Sequence, residues 1–331
     1  MTTKKIGLLF GMENTFPWAL IEEINKRGSG KVEASAVEIS YIKDDGVFGY
    51  DLILDRISHE VPFYRTLLKC AAASGVQIVN NPIWWSADDK FFDNLLAKSV
   101  DVAVPKTVLL PHKEYPPNTT SQSFRNMQWV NWDEVFEYLG FPIFMKPAYG
   151  GGWKDVYKCA DRNEFFAAYD QSRDLTMMAQ EAIDFDAYYR CYVIGRNRVL
   201  IMQYDPRQPQ DLRYVQDPAP LAPAFEAKIR RDCIALCEAL GYDMNTVEFA
   251  VRGGIPYAID FMNCAPDADR ASVGEENFQW VVQNIAETLI EIVLSNRKLE
   301  LTGNWPSVMN TAKAASTPIA IGRKHVTKPA Q

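Results

Sequence analysis

Along the first 82 residues, segments with the hydrophobic pattern of β-strands alternate with segments that have the pattern of α-helices. Short apolar runs that suit buried strands alternate with longer segments in which apolar residues recur every three or four positions, as in helices. The predicted strands are KIGLLFG, VEASAVEIS, LILDRIS and VQIVNNP, and the predicted helices are PWALIEEINKRG and PFYRTLLKCAAASG. Alternation of this kind favours a small parallel α/β domain, which we assign to residues 1–84.

After residue 84 the same pattern predicts several strands in direct succession. They are FPIFMKP, a run around VYKCA, TMMAQEAI, YYRCYVIG, RVLIMQYD, NTVEFAV and PYAIDFM. Helices are predicted for DDKFFDNLLAKS, DRNEFFAAYD, AFEAKIRRDCIALCEALG and NFQWVVQNIAETLIEIVLSN. The last two predicted strands form a hairpin, so antiparallel pairs are expected in this second part of the chain.

Two segments show neither period. Residues 112–131 are polar and broken by prolines, which predicts a loop or an insertion. Residues 306–331 carry lysines and an arginine without periodicity, which predicts a disordered tail.

The composition of the chain argues against some classes of binding partner. The formal net charge of -7, with 47% hydrophobic and 23% charged residues, suits a globular protein and argues against a nucleic-acid surface. The sequence has no apolar stretch long enough to span a bilayer and no signal-peptide pattern at its start, so no membrane partner is expected. Its six cysteines lack the C-x-x-C spacing, which favours reduced thiols and a cytoplasmic location.

Two carboxylates of the C-terminal hairpin are placed to bind a cation. Glu248 and Asp260 lie six residues to either side of Gly254, so a turn centred there would place them directly opposite each other. Like charges about 5 Å apart destabilise a strand pair, and Mg²⁺ between them, with the amide oxygen of Asn263, would remove that cost. Two alternatives stay open: an arginine such as Arg252 bridges the acids, or a register slip places them on opposite faces.

A lysine and a glycine run form the second candidate, in the segment KPAYGGGWKDV. Lys146 follows the apolar run FPIFM, where an unpaired ammonium is costly, so an anion is the expected partner. Gly150, Gly151 and Gly152 connect two predicted strands, and their backbone amides can form an anion-binding concavity. An ordinary edge-strand lysine and a mobile turn are the alternatives.

The order and spacing of these segments resemble the ATP-grasp ligases, most closely the glutathione synthetase and ribosomal-protein-S6 glutamate ligase branch, over about residues 85–295. The resemblance implies an α/β (α+β) fold with an ATP-grasp domain at 85–305, divided into lobes at about 105–180 and 181–305. It implies an enzyme that uses ATP and Mg²⁺, with Mn²⁺ as an alternative, to join a carboxylate and an amine through an acylphosphate. Amino acids or a peptide are the implied substrates.

The same resemblance also leaves alternatives open. A phosphotransferase on this fold and a non-catalytic nucleotide-binding scaffold are both compatible with the sequence. A homo-oligomer is also compatible with it.

By the same resemblance, roles are implied for individual residues. The implied nucleotide-binding groups are Lys90, Lys146, Gly150, Gly151, Gly152, the backbone of Glu181, Ala182 and Ile183, and Asp186 or Asp184 at the ribose, where Tyr188 replaces the usual acid. The implied catalytic residues are Arg190 and Lys146, and the implied metal ligands are Glu248, Asp260 and Asn263. Two residues separate Asp260 from Asn263 where the family has one, so a β-bulge is expected there.

Substrate carboxylates are matched by arginine forks. The substrate candidates are therefore Arg213, Arg270 and Ser272, with Arg56 and Arg207 as further candidates.

Overall fold

The structure of the chain is a computed structural model, which describes residues 2–43, 48–209, 212–215, 218–295 and 297. The tail predicted at 306–331 lies outside the described residues. The strands are β1 Lys4–Leu9, β2 Val32–Ala36, β3 Leu52–Asp55, β4 Gln77–Val79, β5 Thr107–Leu109, β6 Ile143–Pro147, β7 Tyr157–Cys159, β8 Met177–Glu181, β9 Ala187–Ile194, β10 Arg198–Gln203, β11 Met244–Arg252 and β12 Ile255–Asp260. The helices are α1 Phe16–Gly28, α2 Pro62–Ala73, α3 Pro82–Trp85, α4 Lys90–Ser99, α5 Trp132–Leu139, α6 Arg162–Gln171, α7 Pro223–Leu240, α8 Arg270–Val273 and α9 Glu275–Leu294.

The first sheet is parallel and has the strand order β2-β1-β3-β4, which confirms the predicted α/β part. Its central strands are buried on both faces, as their continuous apolar sequences predict. Helix α1 begins with a proline in its first turn and ends before Ser29, whose backbone is left-handed. These local signals explain why the predicted bounds of α1 agree closely with the observed ones.

The other two sheets are antiparallel, with the orders β5-β8-β6-β7 and β10-β9-β11-β12. We call the latter the acid sheet, because β11 and β12 are the predicted carboxylate hairpin. One face of the acid sheet packs against α7, through apolar residues such as Cys191, Phe249 and Leu236. The opposite face is therefore the one that can carry polar side chains.

Helix α9 packs against helix α1. Its residues Phe278 and Ile285 share one hydrophobic core with Leu20 and Ile24 of α1 and with Tyr192 of the acid sheet. The C-terminal helix thus completes the core of the N-terminal α/β part. Among the described residues, no helix is long and apolar enough to cross a membrane.

Three helices were not predicted from the sequence. Helix α5 has only eight residues, but Asn131 caps its first turn and Phe136 and Leu139 are buried, so its signal was present. Helices α3 and α8 are single turns of four residues. Within residues 112–131 the structure has one short 3-10 turn, Ser121–Phe124, consistent with the predicted loop.

Candidate active site

The two predicted acids lie on one face of the acid sheet. Glu248 is the register partner of Asp260, and a register shift follows Glu248 in the ladder. The turn is a two-residue turn at Gly253 and Gly254, both with positive φ, so its centre lies half a residue before the position we expected. Ile259 is the extra residue of the resulting β-bulge, and it restores the pairing of the two acids.

This geometry contradicts a register slip and a bridge by Arg252, but it leaves another arginine, Arg190, beside Glu248. The register is not slipped onto opposite faces. Arg252 does not bridge the acids either, because its Nη1 donates to Glu181 Oε1 at 2.8 Å. The bulge expected between Asp260 and Asn263 was wrong in position, since the observed one precedes Asp260 and β12 ends at that residue.

Three cations surround the acid pair. Lys90, the first residue of α4, places its Nζ 3.5 Å from Asp260 Oδ2. Lys146, on β6 of the other antiparallel sheet, donates from its Nζ to the carbonyl oxygen of Ile259 at 3.0 Å. Arg190 is the register partner of Glu248 on β9, with 3.6 Å between Nη1 and Oε1. Five of the predicted site residues therefore meet at one place.

The pKa values of these groups differ because their neighbours differ. Burial would raise the pKa of Asp260, but Lys90, Lys146 and Arg190 together hold it below its ordinary value. Burial raises the pKa of Glu248, and repulsion by Asp260 adds to this against the attraction of Arg190. Burial lowers the pKa of Lys146 to about 8, although Asp260 acts in the opposite direction. The negative charge of Glu248 is thus less fully compensated by neighbouring cations than that of Asp260.

Two further side chains at the site were missed by the sequence reasoning. The Tyr188 hydroxyl donates to Glu248 Oε2 at 2.6 Å. Its position two residues before Arg190 on one strand was a usable signal, because such residues share a face. Asp93, one turn after Lys90, lines the same cavity as Lys90 and Lys146. Neither of its carboxylate oxygens has a hydrogen-bond partner in the described part of the chain, and burial raises its pKa well above the ordinary value.

The glycine segment is an open loop between β6 and β7, as its sequence predicts. Gly150 and Gly152 have φ values of 84° and 72°, and a Cβ added at either, or at Gly151, would meet no atom within 4 Å. The base of the loop is attached to α4, because the backbone N–H of Lys90 donates to the Ala148 carbonyl at 3.0 Å. This hydrogen bond therefore fixes the base of the glycine loop relative to Lys90.

The predicted adenine segment follows β8. The backbone N–H of Glu181 donates to Lys106 and that of Ala182 to Pro142, so an adenine bound here must use other backbone groups. Ile183 is buried in a small aromatic cluster with Tyr188 and Tyr204.

The predicted ribose ligand has a different partner in the structure. The carboxylate of Asp186 accepts from the backbone N–H of Gly253 at 3.1 Å. Asp186 thus holds the hairpin turn.

Asn263, the third predicted metal ligand, lies beside Thr246. Its Nδ2 donates to Thr246 Oγ1 at 2.7 Å, and its backbone N–H donates to Asn245 Oδ1 at 3.2 Å. Thr246 and Glu248 are two residues apart on β11 and face the same side. The amide of Asn263 is thereby held on the acid-bearing face.

The predicted substrate residues are mostly engaged with the protein itself. Arg270 pairs with Glu275 at 3.3 Å and stacks on the ring of Phe278, whereas Ser272 donates to Asp267. Arg213 donates to the carbonyl of Gln208 at 3.1 Å.

The two further arginine candidates are also paired. Arg56 is buried and pairs with Glu13, and Arg207 pairs with Asp205 at 2.8 Å. The observed partners of all five candidate side chains are thus residues other than the acid pair and its three cations.

No protein-family model matches this chain. Over 222 residues it is 26% identical to D-alanine–D-alanine ligase B of Chromobacterium violaceum, covering 63% of this chain and 67% of that protein.

Solved structures show the same fold. D-alanine–D-alanine ligase of Bacillus anthracis, also solved in complex with ATP, has a TM-score of 0.62 at 17% identity and covers 88% of this chain and 98% of its own. A RimK domain ATP-grasp protein of Sphaerobacter thermophilus has a TM-score of 0.61 at 17% identity, covering 88% of this chain and 99% of its own.

Proposed function

Because this chain belongs to the ATP-grasp ligase superfamily, whose enzymes join a carboxylate to an amine with ATP, we propose that both of its substrates are amino acids or short peptides. The superfamily assignment rests on the fold and on the sequence relatives. The substrate class is inferred from the D-alanine–D-alanine ligases among them, which suggests D-alanine as the first substrate to test.

The main support for the proposal at the site is the position of two lysines opposite the acid sheet. Lys90 and Lys146 approach Asp260 and Ile259 from elements outside the acid sheet, so cations and carboxylates face each other across one cavity. A triphosphate needs cations for its oxygens, and its metal ion needs carboxylates. The juxtaposition therefore suits a nucleotide bound between the two antiparallel sheets.

The chain's own residues would bind the nucleotide and stabilise charge. Lys90 and Lys146 bind phosphate oxygens, and the amides of the glycine loop cover them. Arg190, which lies beside Glu248, stabilises charge on the transferred phosphoryl group as it moves to the substrate carboxylate. The resulting acylphosphate has a phosphate leaving group, so an amine can displace it to form an amide. A closed loop excludes water from that intermediate.

The residues present fit a divalent metal ion. Two opposed carboxylates with an incompletely compensated Glu248 form a hard, anionic oxygen site. No group of three or more His, Cys, Asp or Glu side chains is placed to hold a metal in the described ranges, so the remaining ligands would be Asn263 and nucleotide oxygens. Bound Mg²⁺ would supply positive charge to the phosphate oxygens. Mn²⁺ is an alternative ion.

The domain bounds, the adenine position and the location belong to the same proposal. We propose residues 1–84 and 85–305 as domains, the latter with lobes at about 105–180 and 181–305. We propose that the adenine lies near Glu181, Ala182 and Ile183. Six free cysteines support a cytoplasmic location.

The test is ADP release in a screen of amino-acid pairs, with D-alanine alone and with other amino acids as second substrate. A ligase requires both an acid and an amine and yields an amide that mass spectrometry detects. ADP release with a phosphorylated product and no need for an amine would indicate the phosphotransferase instead. ATP binding without turnover across the whole screen would indicate the scaffold.

A further inference from the structure

Tyr188 is a polar residue of the acid sheet that the proposed mechanism does not use. Its hydroxyl makes a 2.6 Å hydrogen bond to one oxygen of Glu248, Oε2. The other oxygen, Oε1, is 3.6 Å from Arg190, which is beyond hydrogen-bond length. The two oxygens of this carboxylate are therefore not equivalent, and Oε1 is the one that Arg190 leaves available.

The ring of Tyr188 is fixed by its surroundings. The side chain is 6% exposed and packs in a cluster with Ile183, Tyr204 and Ala250. Phe185 meets it edge-on with 5.2 Å between ring centroids, and the ring of Tyr204 lies at 6.0 Å. A hydroxyl on a fixed ring holds its acceptor in one orientation, so the carboxylate plane of Glu248 cannot turn freely.

Orientation of the carboxylate decides how it can bind a cation. Bidentate binding presents both oxygens to one ion, whereas monodentate binding uses a single oxygen. Ca²⁺ takes six to eight oxygen ligands and often a bidentate carboxylate, whereas Mg²⁺ requires a near-octahedral set and takes one or two carboxylates with water and phosphate oxygens. A Glu248 with only Oε1 available suits Mg²⁺ better than Ca²⁺.

From these contacts we propose that Tyr188 is a specificity-determining residue, which restricts Glu248 to monodentate binding and so favours Mg²⁺ over Ca²⁺. The proposal rests on the proposed function, because it takes the acid pair as a metal site. Tyr188 acts through Glu248 and is a positioning residue, not a ligand.

The test measures metal binding without turnover. Mn²⁺ bound to the protein–ADP complex is quantified by electron paramagnetic resonance, and Mg²⁺ and Ca²⁺ are titrated as competitors. Tyr188→Phe keeps the ring and removes only the hydroxyl. We expect the Mg²⁺-over-Ca²⁺ preference to fall about tenfold, the lower range for loss of a group that orients a metal ligand.

The matched control is Tyr204→Phe, from the same aromatic cluster. In the described part of the chain its hydroxyl accepts from Arg213 Nη1 at 3.4 Å and is not bonded to Glu248, so the preference should stay within about twofold of wild type. In a Glu248→Gln background, Tyr188→Phe should leave the preference unchanged, because the side chain through which it acts has only one oxygen. A purely structural effect of Tyr188 would persist in that background.

The two proposals fail in different ways. Wild-type protein that binds no Mn²⁺ in the presence of ADP would overturn both the metal site and the role of Tyr188. Wild-type protein that binds Mn²⁺, with a Tyr188→Phe variant of unchanged Mg²⁺-over-Ca²⁺ preference, would overturn the role of Tyr188 alone. ADP affinity measured with a chelator present shows whether the variant keeps the nucleotide pocket.

Discussion

The acid hairpin lines the cavity and the glycine loop is anchored to Lys90 at its base, but the two are built in opposite ways. In the hairpin, Glu248 has a tyrosine, an arginine and an opposed acid as neighbours, and Lys146 binds the bulge itself. In the loop, an added Cβ at any of the three glycines would meet nothing within 4 Å. One region is held in place before any ligand arrives, and the other has room to move.

The difference indicates a division of labour. Groups that stabilise charge work best when they are fixed in advance, because no reorganisation is then needed during reaction. Groups that exclude water must move to admit the nucleotide. Substitutions in the hairpin should therefore lower kcat most. Substitutions in the loop should lower kcat less, because they change only the fraction of molecules in which the loop is closed.

The largest effect is expected from neutralising the acids. Asp260→Asn and Glu248→Gln keep the size of the side chain but each remove one of the two negative charges of the acid pair, so kcat should fall by about 10²–10³-fold or more. ADP release measures it, and the thermal unfolding midpoint checks the fold. Asp170→Asn, at an exposed carboxylate paired with Lys113, is the control and should leave kcat unchanged. Full turnover in either acid variant would contradict the assignment.

A smaller effect is expected from the buried lysine. Lys146→Met retains the length of the side chain and removes a charged hydrogen-bond donor, so the Kd for ATP should rise about 10–100-fold. Calorimetry measures the affinity. The control is Lys158→Ala, which should leave the affinity unchanged. Lys158 is an exposed lysine on β7, the strand that pairs with β6, and its register partner Phe144 lies two residues before Lys146. If both variants raise the Kd for ATP equally, the phosphates do not bind at Lys146.

The glycine loop contains its own matched set of variants. Gly150 and Gly152 have positive φ, where alanine costs about 1–2 kcal/mol, so alanine at either should lower kcat about 5–30-fold. Gly151 is equally open but has no positive φ, so Gly151→Ala should stay close to wild type. ATP affinity should change less than kcat in all three. If Gly151→Ala is as slow as the other two, backbone strain is not the cause.

The smallest effect is a proton taken up on binding. Since the pKa of Lys146 is lowered to about 8, the free lysine loses its charge as the pH rises through that value. Bound phosphate favours the charged form and raises the pKa again. ATP binding should thus take up a fraction of a proton at about pH 9 and much less at about pH 7. Calorimetry in buffers of different ionisation enthalpy measures this, and Lys146→Met should abolish it.

The sequence predicted much of the architecture because periodicity and turn residues are local signals. The parallel first sheet, the acid hairpin and the glycine connection between strands were all predicted from such signals. Helix α5 was missed because eight residues give a weak periodic signal beside a long polar loop. The fold was therefore accessible from sequence to within a few short helices.

Side-chain partners at the site were less accessible. The pairing of Glu248 with Asp260 was predicted from a turn centred half a residue too late, and the bulge at Ile259 made up the difference. A bulge depends on tertiary contacts, here with Lys146, which is over a hundred residues earlier in the chain. The burial of Asp93 and the bond from Tyr188 likewise depend on packing that no local pattern encodes.

The core shared by α1 and α9 has a consequence for how the protein is made. Leu20 and Ile24 are synthesised long before Phe278 and Ile285, which cover them in the folded protein. Until then the nascent N-terminal part has an uncovered apolar face, a state in which chains associate wrongly or recruit chaperones. The first part can therefore be fully folded only after helix α9 has been synthesised.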